Sequence, residues 1–257
     1  MTTDRELLAA RLFLRAVLPV MKVVLQDDPK MKKKFENVRG RVQFSALDEN
    51  GPVGACLVFD DTGFRVVHEV RSDADIAFSF KSVAKMNAFF AGKPVIPGIR
   101  GWFKTGLLLK VFALLMSLKI LMPDADPKDP DKRRLKVKMT FYMITTALSQ
   151  YNKGGDPEMA KWTAKQPERI YQITVDDGIA AYLRVKAGKS KAGRGVYKKR
   201  RPFVHMKFNG VEGAYPIVMN TVNMVDAVRN GYLSLEGSPE YGRDIGDFMI
   251  RIQELIT

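Results

Sequence analysis

Val83-Ala84-Lys85-Met86-Asn87-Ala88-Phe89-Phe90-Ala91-Gly92-Lys93-Pro94-Val95-Ile96-Pro97-Gly98 reads as a short apolar helix, a glycine stop and a brief strand ending in glycine. The device recurs in Val222-Asn223-Met224-Val225-Asp226-Ala227-Val228-Arg229-Asn230-Gly231-Tyr232-Leu233-Ser234-Leu235-Glu236-Gly237. Gly92 and Gly231 suit the left-handed position that closes a helix at low steric cost. Val95 and Ile96, within a strand over Lys93–Ile96, match Leu233 and Leu235 in the second stretch. The pattern predicts one fold written twice.

Working outward, the matches keep their order. Asp28-Pro29-Lys30-Met31 is echoed by Asp156-Pro157-Glu158-Met159, and Arg41-Val42 by Arg169-Ile170. Asp48-Glu49-Asn50 is echoed by Asp176-Asp177-Gly178, and the segment Asp75 to Phe80 by Phe203 to Phe208. These matches stand 128 positions apart, and the glycine stops stand 139 apart. The second copy should therefore carry an insertion of about eleven residues near 209–220. The expected organisation is a first domain over 1–122, a proline-rich linker over 123–131 and a second domain over 132–257.

Within the first copy, residues 4–26 read as a helix that Pro19 should bend. Pro29 to Phe35 is a short lysine-rich helix. Arg41–Leu47, Val53–Phe59, Phe64–Val70 and Ile76–Phe80 are strands, with Asp60-Asp61-Thr62-Gly63 as a hairpin turn. A long apolar helix over Trp102–Met122 closes the copy. Antiparallel strands first, with helices over one face, define an α+β architecture.

Composition narrows the function. With 42 Lys and Arg against 28 Asp and Glu, the net charge is +14, which draws the chain to anionic partners. Cys56 is the single cysteine, so no intrachain disulfide can form. With only His68 and His205 beside it, no zinc motif exists. Neither histidine has a serine, cysteine or paired carboxylate at a recognisable spacing. Gly188, Gly193 and Gly195 match no phosphate-binding loop. No catalytic residue, metal or cofactor is assigned, and an enzyme is not expected. Leu7–Leu25 is interrupted by charge and lacks a cleavage site, so it makes no secretory signal. Gly106–Met122 holds Lys110 and Lys119 and is short for a span. The expected location is cytoplasmic, or peripheral on the inner face of a membrane.

The strand Asp75-Ile76-Ala77-Phe78-Ser79-Phe80, the helix end Met86-Asn87-Ala88-Phe89-Phe90-Ala91-Gly92-Lys93 and the step Val95-Ile96-Pro97-Gly98 resemble the sterol carrier protein 2 family, the nonspecific lipid-transfer proteins. The resemblance spans most of 36–120 and, more weakly, 165–257, where Tyr232 follows Gly231 in place of lysine. It implies two tandem domains. Each would have a mostly antiparallel five-stranded sheet covered by helices, with an apolar cavity for fatty acyl, sterol, isoprenoid or similar ligands. It implies no chemistry.

Periodicity supplies the candidate walls. Phe78 and Phe80 share a sheet face. Met86, Phe89 and Phe90 share a helix face, and Phe112, Leu115 and Met116 repeat that spacing. Trp102 and Leu108 extend the apolar closing helix. Three such faces make either a solid core or a hollow one, and the family resemblance implies the hollow one. Lys198, Lys199, Arg200 and Arg201 end an acid-free run that begins at Lys186. They are read as a contact for an anionic membrane, with an exposed loop as the plain alternative. The leading function is lipid binding and transfer. An accessory protein that presents a lipid-like substrate to partner enzymes would look the same. Nucleic acid is the disfavoured partner, because the basic run carries a single aromatic, Tyr197, and no recognition motif.

Overall fold

A computed structural model describes residues 2–256. The chain divides into two compact units, Met1–Leu118 with Gln253–Thr257, and Lys119–Ile252. Each is α+β with one five-stranded mixed sheet.

The first unit opens with α1 (Asp4–Leu12), whose N-terminus is closed by a capping box between Thr3 and Glu6. Pro19 is absorbed by a π turn over Phe13–Val17 and a 3-10 turn over Leu18–Val20 before α2 (Met21–Asp27) resumes. Asp28 then caps α3 (Pro29–Lys34), accepting from the N–H groups of Lys30 and Met31. The sheet comprises β1 (Gly40–Ala46), β2 (Val53–Asp60), β3 (Gly63–Val67), β4 (Ile76–Phe80) and β5 (Gly98–Arg100), in the order β3-β2-β1-β4-β5. Helices α4 (Val83–Phe90) and α5 (Thr105–Ser117) complete the unit.

The second unit is built from α6 (Pro130–Lys153), α7 (Pro157–Ala164), β6 (Arg169–Val175), β7 (Ile179–Lys186), β8 (Lys189–Arg194), β9 (Val204–Phe208), α8 (Gly210–Val218), α9 (Met224–Arg229), β10 (Leu233–Gly237) and all but the last residues of α10 (Pro239–Ile256). Its sheet runs β8-β7-β6-β9-β10. In each sheet the central pair, β1–β4 or β6–β9, is parallel and the other pairs are antiparallel. The sheets are thus mixed. After β3 the chain returns to the end where β1 starts, and the N–H of Asp75 donates to the Arg41 carbonyl before β4 begins.

The two units share unusual local devices. Gln43 on β1 is buried; its amide donates to the carbonyls of Phe44 and Ala55, and its oxygen accepts the N–H of Arg71. Gln172 on β6 does the same with the carbonyls of Ile173 and Ala181 and the N–H of Tyr197. Both helix stops are Schellman closures: Lys93 N–H reaches the Ala88 carbonyl, and Tyr232 N–H reaches that of Ala227, each at 2.9 Å. Gln172 stands 129 positions after Gln43, so the first strand is matched one residue later than Arg41 to Arg169.

Three expectations are corrected. Val95 and Ile96 lie outside any strand, and the ladder begins at Gly98, opposite Ser79. Pro94 and Pro97 lack the N–H a ladder needs. The closing helix starts at Thr105 rather than Trp102, and it ends in a 3-10 turn over Leu118–Leu121. The segment 123–131 is a tethered connection. The buried ammonium of Lys136 donates to the carbonyls of Met122 and Ala125 at 2.8 and 2.7 Å. Burial lowers the Lys136 pKa, against the pull of Asp124 and Asp126. Pro130 and Asp131 already belong to α6.

Candidate functional site

The parallel register sets Val42, Phe44 and Ala46 beside Ile76, Phe78 and Phe80. All six are buried on one face of the first sheet. Phe44 and Phe78 stack at 4.8 Å with their planes 5° apart. Ser82 caps α4, its hydroxyl accepting from the Lys85 N–H. Met86 is fully buried beneath it, while Phe89 and Phe90 are half-buried. Phe89 meets Phe80 at 5.2 Å, and Phe90 meets Phe44 at 5.4 Å and Phe13 at 5.6 Å. Phe112 of α5 approaches Phe78 edge-on at 5.7 Å. Seven rings therefore form one connected wall, and three of them, Phe89, Phe90 and Phe112, keep some contact with solvent.

Of the residues read as walls, Phe78, Phe80, Met86, Phe89, Phe90 and Phe112 come together here. Leu115 is buried on the inner stripe of α5, and Leu108 is half-buried. Trp102 and Met116 face solvent, at 68% and 53% exposure. Phe13 and Phe44 were missed. Phe44 lies in an expected strand, but only the sheet order shows that this strand neighbours β4.

Asn87 of α4 donates to the Glu6 carbonyl at 2.9 Å and so ties α4 to α1. Arg11 Nε, His68 Nδ1 and Asn87 Oδ1 are buried without a protein partner. Burial lowers the His68 pKa, and the nearby Arg15 and Arg11 lower it further. Burial raises the Cys56 thiol pKa, which disfavours the reactive thiolate. Among the described residues no cluster of His, Cys, Asp and Glu could hold a metal.

The corresponding face of the second unit is filled. Ile173, Met206 and Phe208 pack into a core with Phe141 of α6 and with Val211, Ala214 and Tyr215 of α8. Helix α8 stands between β9 and α9, whereas in the first unit only a short turn separates β4 from α4. His205 is engaged with Thr174 at 2.9 Å.

Lys198, Lys199, Arg200 and Arg201 are exposed on the loop between β8 and β9. Arg200 is not free: it pairs at 3.6 Å with Glu168, which also holds Arg184 at 2.7 Å. Among the described residues no helix is long and apolar enough to cross a membrane.

No protein-family profile matches the chain, and none of the curated proteins does. Among solved structures, sterol carrier protein 2 from Yarrowia lipolytica in its apo form is 18% identical, with a TM-score of 0.28. That likeness covers 38% of this chain and 87% of the other. A double mutant of the sec-alkyl sulfatase PisA1 is 13% identical over 56% of this chain, also with a TM-score of 0.28. The stereoselective inverting sec-alkylsulfatase Pisa1 from Pseudomonas sp. is 15% identical over 57%, with a TM-score of 0.25. The chain spans 28% of each sulfatase. Likeness at this level decides neither ligand nor activity.

Proposed function

We propose that the first unit binds an apolar ligand of the lipid class, an acyl chain, a sterol or a similar molecule, against its phenylalanine wall, and that the chain is a non-catalytic carrier. The carrying observation is the connected ring wall whose outer members, Phe89, Phe90 and Phe112, stay partly open to solvent. An apolar surface with few polar groups suits such ligands. Each methylene removed from water contributes about 0.8 kcal/mol. We also read the two units as copies of one fold, of which the second has filled its ligand face with α8. The shared strand order, the paired glutamines and the paired helix stops support this.

Native mass spectrometry of protein purified from its own source should find a bound apolar mass. The purified chain should bind a fluorescent fatty acid, and Phe90→Ser should weaken that binding by roughly tenfold. Absence of a ligand together with no fatty-acid binding by the parent chain would sink the carrier reading.

Leu115→Trp tests whether space lies behind the wall. With ligand space there, stability should hold while fatty-acid binding falls. A filled core would instead lose about 1–3 kcal/mol through overpacking. That loss, with no binding by the parent, would refute the reading. Met116 cannot serve for this test because it faces solvent.

A further inference from the structure

Helix α5 is apolar nearly all round, yet it buries only one stripe, Val111, Leu114 and Leu115. Its opposite face is uncovered. Leu109 is 68% exposed, and Met116 lies two turns further along the same side. The segment that precedes the helix is exposed too: Ile96 is 97% exposed, Phe103 70% and Trp102 68%. Large apolar side chains gathered in one segment and left in water call for a partner.

The charge of the segment selects that partner. From Ile76 to Leu118 there is no aspartate or glutamate, whereas Lys93, Arg100, Lys104 and Lys110 stand among the exposed apolar residues. The acid that precedes the segment, Asp75, is held by Lys104 and by the N–H of Arg41. A protein partner's apolar surface would not require this absence of acids. An anionic bilayer would: tryptophan and phenylalanine settle at the headgroup level, and lysine stems lie along the apolar surface while their ammonium groups reach phosphate.

We propose that the outer face of α5, with the Ile96–Phe103 approach, is an interfacial docking surface for anionic membranes. The helix lies in the plane of the headgroups and does not span. This surface belongs to the first unit and the Lys198–Arg201 loop to the second, and its action does not depend on whether the ring wall carries a ligand.

The test uses the full chain and vesicles of phosphatidylcholine with or without phosphatidylserine. Trp102 emission should shift to the blue on adding the anionic vesicles, and Trp102→Phe should abolish the shift while Trp162 remains. Leu109→Glu with Met116→Glu should weaken vesicle partition by roughly tenfold or more. Both positions are exposed, so the thermal midpoint should not move. Neutralising Lys198, Lys199, Arg200 and Arg201 should reduce partition far less than the α5 pair does. Undiminished partition of the α5 variant, or no Trp102 shift, would overturn the proposal. So would a parent dimer that the α5 variant converts to monomer, because a second copy would then be the occupant. Failure of fatty-acid binding with intact vesicle binding would strike the carrier reading alone.

Discussion

Gln172→Glu is expected to destabilise the second unit by about 3–5 kcal/mol, the cost of leaving a buried charge unpaired. Gln172 is fully buried. Its amide nitrogen donates to the carbonyls of Ile173 at 3.0 Å, Ala181 at 2.9 Å and Gly195 at 3.3 Å. Its oxygen accepts the Tyr197 N–H at 2.9 Å. A carboxylate in its place keeps the last bond but sets a negative oxygen against three carbonyl oxygens. Desolvation would raise the new carboxyl's pKa, so the deficit should be full above that raised value. It should shrink as pH falls toward the ordinary glutamate range, where the protonated group can donate one bond. Gln43→Glu should do the same to the first unit. Urea unfolding followed by circular dichroism reads both, with each variant moving the transition of its own unit. A loss below about 1 kcal/mol in both variants would show that the bonds are dispensable.

Gly101→Ala and Gly237→Ala should each cost about 3 kcal/mol or more, through two effects that add. Both glycines are left-handed, at φ +77° and +97°. A Cβ at Gly101 would lie 2.0 Å from the Asp75 carbonyl oxygen, and one at Gly237 would lie 1.9 Å from that of Phe203. These atoms are backbone at the entry to β4 and β9, so relief requires the strand itself to move. Gly92→Ala and Gly231→Ala are the controls. They share the positive φ, at +79° and +70°, but a Cβ there meets nothing within 4 Å. They should lose only the conformational part, about 1–2 kcal/mol. Equal losses in the two pairs would remove the close-approach argument.

Features that depend on near neighbours were legible in the chain alone. Asp28 before Pro29 and Asp156 before Pro157 announce helix starts, because their carboxylates reach N–H groups two or three residues on. Gly92 and Gly231 mark helix stops through a local closure. Alternation in Ile76–Phe80 identifies its buried face. The recurrence of these signals in order was legible for the same reason. Tertiary structure decided the rest. Which strands adjoin is a long-range choice, so Phe44 entered the ring wall through its register with Phe78, and Phe13 through its packing against Phe90. The matching hydrogen bonds of Gln43 and Gln172 join residues far apart in the chain, and no local pattern encodes them. The exposure of Leu109 and Met116 was equally hidden. A helix apolar all round does not say which side its sheet will cover, and only packing left that face to the solvent.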